Sequence, residues 1–110
     1  MKFFEFIKKL ITPYDQLVSR QSFNQSDLEY IKGKWGEIEV LVRSGRPSGF
    51  KTAVLEADTL LDYVLKGLGY KGQTMGDRMK SIPRDQFERR FFDDMWSAHK
   101  IRNEMVHNMD

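Results

Sequence analysis

Leu28, Ile31, Trp35, Ile38 and Val42 follow one another at alternating three- and four-residue steps. That spacing lays side chains in one stripe along a helix that turns once in about 3.6 residues. A second stripe runs through Ala53, Ala57, Leu60, Leu61 and Val64, with Val54 and Leu65 beside it. A third runs through Phe87, Phe91, Ala98, Ile101 and Met105, flanked by Met95, Trp96 and Val106. Nowhere do apolar and polar residues alternate in the period of two that a half-buried strand requires. The chain is therefore expected to be all-α: an antiparallel helical bundle of four to five helices joined by short connections. Trp35, Leu60, Leu61, Val64 and Phe91 are expected in its core.

Local signals place the ends of these helices. Ser26 with Glu29 reads as a capping box opening the first long helix. Ser44-Gly45 should close it, since glycine supplies a left-handed cap and Pro47 opposes continuation. Gly33 and Gly36 lie inside this helix, where each costs about 1 kcal/mol relative to alanine; close approach of a neighbouring helix would account for them. Ser48 is expected to cap the next helix, and Gly67 and Gly69 to end it. Thr74 and Asp77 suggest a short capped helix through about Lys80, and Pro83 fits the first turn of a last helix expected from about Arg84 to Asn108.

The first residues, MKFFEFIKKLITP, read as a short amphipathic helix ended by Pro13, with Phe3, Phe4, Phe6, Ile7, Leu10 and Ile11 opposed by Lys2, Lys8 and Lys9. Such a segment can lie on an anionic membrane surface, or dock on the domain or on a second copy of it. It makes a poor signal peptide, because Lys8 and Lys9 interrupt its apolar centre and no small-residue cleavage site follows. The stretch TPYDQLVSRQSFNQS has no period and carries turn formers, so it reads as a linker. The expected organisation is an N-terminal amphipathic helix and linker over residues 1–20 and a helical bundle domain over residues 21–110.

With 110 residues the chain can form one modest core, and its net charge of +2 is too small to argue for nucleic acid. Local clustering is another matter: Lys66, Lys71, Arg78, Lys80 and Arg84 face only Asp77 within their stretch. The cluster reads either as a solvated face or as a phosphate-binding surface. The absence of cysteine excludes disulfides, thiol nucleophiles and the usual soft zinc ligands, and suits a reducing cytoplasm. No apolar run reaches transmembrane length. The loop GLGYKGQTMG matches neither a phosphate loop nor a dinucleotide fingerprint, because no strand precedes it and the spacing is wrong. Asp58 and Asp62, one turn apart, could share a metal, but no third ligand is near; pairing with Arg or Lys of another helix is the alternative reading.

The stretch AHKIRNEMVH at residues 98–107 holds both histidines of the chain, His99 and His107, around Arg102-Asn103. On a helix these four polar groups share an arc about 140° wide, with Arg102 and His107 at its edges. Ordinary structure explains each one separately: a histidine in the last turn is favoured by the helix dipole, His99 can pack on Trp96, and Arg102 can pair with Asp58, Asp62 or Glu104.

Arg102 and His107 nevertheless form an R-x-x-x-x-H motif with a polar residue directly after the arginine. This resembles the signature of the HEPN superfamily of all-α domains. The segment FKTAVLEADTLLDYVLKGLGYKGQTMGDRMK and the AHKIRN-type ending are also similar to uncharacterised bacterial proteins, so the resemblance covers about residues 26–107. It implies a HEPN-like bundle and a metal-independent endoribonuclease in a toxin, defence or RNA-processing context. It also implies a homodimer with a composite site, and an antitoxin or nucleotidyltransferase as a further partner. By the same resemblance Arg102, Asn103 and His107 would be catalytic, with no cofactor and no metal. His99, Arg78 and Lys80 are candidates for substrate binding, and His99, outside the motif, is expected to matter least. Many family members are inactive, so a non-catalytic dimerisation or nucleotide/RNA-binding module is the competing expectation. Members usually continue into a further helix, whereas this sequence ends three residues after His107. A partner or further residues would then be needed to fix that histidine.

Overall fold

The computed structural model describes residues 2–12 and 23–108. Most of the expected linker, including Pro13 and the boundary between residues 20 and 21, lies outside the described residues. All regular structure among the described residues is helical: α1 (Lys2–Ile11), α2 (Gln25–Arg43), α3 (Pro47–Gly67), α4 (Met75–Lys80) and α5 (Arg89–Asn108).

The pairing of α2 with α3 follows from their stripes. Leu28, Ile31, Trp35 and Ile38 are buried on α2, and Ala53, Val54, Ala57, Leu60, Leu61, Val64 and Leu65 on α3. Burial of a Leu, Ile or Val at these positions contributes roughly 1.5–3 kcal/mol apiece. Polar contacts flank the seam and show that the helices run antiparallel: Lys34 reaches Glu56 at 3.1 Å midway along both helices, and the Tyr63 hydroxyl donates to Asp27 near the start of α2. The turn between them is tight because Gly45 adopts φ +69°, a left-handed conformation that side chains oppose.

The α5 helix packs on α3 and on α1, and α4 is braced against α3. Phe4, Phe6, Ile7 and Ile11 of α1 are buried in the same core as α2 and α3. Of the uses open to the N-terminal helix, this conformation shows docking on the domain. Phe6 meets Phe91 of α5 with ring centroids 5.1 Å apart, and Phe4 meets Phe50 of α3 edge-on at 6.1 Å. Phe91, expected in the core, is only half-buried at this edge.

Several ends differ from the expectation. Asn24, not Ser26, caps α2: its side chain accepts from the Asp27 backbone N–H at 2.9 Å, while the Asp27 carboxylate accepts from the Asn24 N–H at 2.9 Å. Asparagine is at least as good a cap as serine, so the box forms two residues early. Val42 is exposed because the last turn of α2 runs past the core to the rim of a groove shared with Phe4 and Lys8 of α1. Ser48 lies inside α3, whose N-cap is Arg46 with Pro47 in the first turn. Nothing approaches the Cβ positions of Gly33 and Gly36, which are exposed. Close approaches occur instead at Gly49, at Gly67 against the Phe23 ring, and at Gly72, where a Cβ would lie 2.5 Å from the backbone nitrogen of Arg78. Finally, α5 begins at Arg89 rather than Arg84. The Pro83 carbonyl accepts from the Gln86 N–H at 3.1 Å, so the chain makes a turn there before the helix starts. Ile101 and Val106, expected on or beside the inner stripe, are exposed.

Candidate functional site

Asp58 is the unusual residue of α3. It sits among buried apolar neighbours, four residues after Val54 and three before Leu61, and is only 4% exposed. A carboxylate taken from water needs compensation. Two groups of α5 supply it: His99 Nδ1 lies 3.3 Å from Asp58 Oδ1, and Arg102 Nε lies 3.5 Å from Asp58 Oδ2. The compensation is incomplete. Arg102 Nε is buried yet makes no hydrogen bond, so its contact with Asp58 is electrostatic only. Burial accordingly holds the Asp58 carboxyl above its ordinary value of 3.8, against the opposing pull of His99 and then Arg102.

The cluster opens into a polar cavity of about 470 Å³, lined by Asp58, Asp62, Thr74, His99, Arg102 and Asn103. Arg102 Nη1 donates to Asn103 Oδ1 at 3.1 Å, which orients the amide beside the guanidinium. His99 Nε2 faces α4 across this space, 3.9 Å from where a Cβ on Gly76 would sit. The imidazole therefore has one nitrogen towards a carboxylate and the other towards an open volume. That is the arrangement by which a general acid or base is oriented. Beside it Arg102 offers permanent positive charge, so the site can bind an anion and move a proton next to it.

The sequence-predicted residues divide. His99, Arg102 and Asn103 are brought together. His107, two turns beyond His99, is exposed on the last turn of α5 and does not line the cavity. Arg78 is taken up by the fold: its Nε donates to Asp62 Oδ1 at 2.7 Å and its Nη1 to the Tyr70 carbonyl at 2.9 Å, with the side chain 9% exposed. Lys80 is exposed and lines a separate cavity at the other end of α4. Both aspartates of α3 thus face cations from other elements. No group of three or more His, Cys, Asp or Glu able to hold a metal occurs among the described residues.

Sequence reasoning named Asp58 only as a salt-bridge or metal candidate. Its position on the buried edge of the α3 stripe was the available signal that it is the hub of the cluster. No protein-family model, no curated protein and no solved structure matches the chain.

Proposed function

We propose that this chain is a HEPN-like domain that cleaves single-stranded RNA without a metal ion, through a site that a second copy completes. The observation that carries the reading is the placement of His99, oriented by the buried Asp58, beside Arg102 and Asn103 on one open polar cavity. In the proposed reaction a histidine takes the proton of the ribose 2′-hydroxyl, and that oxygen attacks the adjacent phosphorus. The bond from phosphorus to the 5′-oxygen breaks, and the departing oxygen receives a proton. The products are a 2′,3′-cyclic phosphate and a free 5′-hydroxyl. Arg102 holds the charge on the phosphorus centre, where its fork matches the phosphate oxygens. Asn103 positions the phosphate or the guanidinium.

His107 is the motif's proton carrier but stands off the cavity of its own chain. A two-fold partner would bring His107 of one copy towards the cluster of the other. His99 gains a larger role here than its place outside the motif suggests, because Asp58 fixes its ring. The second reading, a non-catalytic dimerisation or nucleotide/RNA-binding module, is favoured by one observation. Asp58 already stands against Arg102 and offsets part of the charge a phosphate would use.

Incubation with single-stranded RNA in EDTA tests the proposal. Cleavage leaving a cyclic phosphate is expected, with DNA spared because it lacks the nucleophile. His107→Ala and Arg102→Ala should each reduce the rate by at least about 10²-fold. His99→Ala should reduce it more than Asn103→Ala. Light scattering should give a dimer. A dimer that binds RNA and never cuts it leaves the second reading, and cutting that survives His107→Ala removes the first.

A further inference from the structure

The face of α5 that carries His99, Arg102 and Asn103 does not end there. Going back along the helix in the same three- and four-residue steps, it passes Trp96, Asp93, Phe92 and Arg89. These residues line a second cavity, about 670 Å³ in volume, closed on the other side by Lys80 at the end of α4 and by Arg84. Its floor is the buried Met79 and Ile82. Three exposed cations face one carboxylate, Asp93, and the half-buried rings of Trp96 and Phe92 lie among them.

The two cavities adjoin. Trp96 borders the second and meets His99 edge-on, with ring centroids 6.3 Å apart. The short helix α4 walls both, with Thr74, Met75 and Gly76 on the first and Met79 and Lys80 on the second. From Arg89 to Asn103 the trough follows α5 for about 21 Å, by the rise of a helix.

We infer that this cation-and-aromatic cavity is a subsite for a nucleotide flanking the scissile bond of a single-stranded RNA. The inference rests on the RNA-cleavage reading and adds where the strand lies. An inorganic anion would use the cations but not the rings or the apolar floor. A hydrophobic ligand would gain nothing from Lys80, Arg84 and Arg89. A nucleotide uses both halves, its base against Trp96 or Phe92 and its phosphates against the cations. The strand then passes Trp96 and delivers the next phosphate to Arg102.

The test uses the full chain and a fluorescent single-stranded oligoribonucleotide bearing 2′-O-methyl groups, which lacks the nucleophile and so cannot be cut. Binding is read by anisotropy in EDTA. Replacing Lys80, Arg84 and Arg89 together by alanine should weaken binding by at least about 30-fold and flatten the plot of log affinity against log salt by about 2. Replacing Lys32, Arg43 and Arg46, exposed cations on α2 and at its end, removes the same charge and should weaken binding by less than about 3-fold. Trp96→Leu should cost roughly 10-fold with the salt slope unchanged, and Trp96→Phe, which keeps a ring, should recover most of it. Equal weakening by the two triple variants overturns the inference. So does an oligonucleotide that Trp96→Leu binds normally and that inorganic polyphosphate displaces as well as RNA does. If the Lys80/Arg84/Arg89 variant binds and cuts RNA like the wild type while His107→Ala does not cut, the subsite fails and the cleavage reading stands. A wild type that neither binds nor cuts RNA removes both.

Discussion

Asp58 and Asp62 lie one turn apart on α3, and each faces an arginine from another element, yet the two ends of that turn are built differently. At Asp62 the guanidinium of Arg78 is buried and bonded twice, by a 2.7 Å bond to the carboxylate and a 2.9 Å bond to the Tyr70 carbonyl. At Asp58 it is the carboxylate that is buried, while Arg102 stays 36% exposed along its side chain and its Nε finds no hydrogen bond. A buried arginine bonded to two elements holds them together; it has little surface left for a ligand. An arginine held loosely at the mouth of a cavity keeps donors to offer. Sequence spacing makes the two pairs look equivalent, and burial separates them.

The largest effect that would sharpen this contrast is on stability. Arg78→Ala should cost about 2 kcal/mol in urea denaturation, because it removes a buried guanidinium together with its bonds to Asp62 and to the Tyr70 carbonyl. Arg102→Ala should cost less than about 1 kcal/mol, because Arg102 itself is partly exposed, bonds Asp58 by no hydrogen bond from Nε, and leaves His99 facing the buried carboxylate. If Arg102→Ala proved the more damaging of the two, Arg102 would be architecture and the contrast would collapse.

A smaller effect concerns the sign of a pH dependence. The folded Asp58 carboxyl binds its proton more tightly than the unfolded one. This group's contribution is therefore lost as pH rises through the window that opens at 3.8 and closes at its higher folded value, and is regained as pH falls through it. Asp58→Asn removes the titration, so the stability of the wild type relative to this variant should improve on acidification. A difference between the two proteins that did not change with pH would show that His99 and Arg102 fully offset the burial.

The smallest effect lies one residue past Asp62, where α3 meets α2. Tyr63 donates to Asp27, which pushes the phenol up to about 12. Its contribution is intact below the ordinary value of 10.0 and is lost as pH rises from there to about 12. Alkaline denaturation of Tyr63→Phe should lack that loss, and a spectrophotometric titration of the wild type should show one late phenol. A phenol that titrates with the others would leave this contact without weight.

The parts of the molecule governed by local periodicity were legible in the sequence. The α2 and α3 stripes are buried nearly as read, because a core helix shows its inner face in its own residues. Ends were less legible. Asn24 with Asp27 and Ser26 with Glu29 both fit the box pattern two residues apart, and local pattern does not choose between them; in the structure Phe23, just before the Asn24 cap, is buried with its ring against Gly67. The start of α5 was hidden because Pro83 serves a turn as readily as a first helical turn. In the site, the four-residue spacing of His99 and Asn103 was visible, but the contact of His99 with Asp58 spans forty-one residues and no periodicity encodes it. The reassignment of Arg78 is of the same kind. A basic cluster read along the chain cannot show which of its members the fold has buried.

The backbone contact at Gly72 makes the two cavities vary together. A side chain at that position would meet Asp77 and Arg78 through backbone atoms, which have no rotamer to escape into, so α4 itself would have to lift. Because α4 walls both cavities, one added methyl group would act like a shim under a door sill, widening two openings while touching neither. The loop at 72 is thus a dimensional standard for the whole trough, and its tolerance is set by the absence of a single carbon.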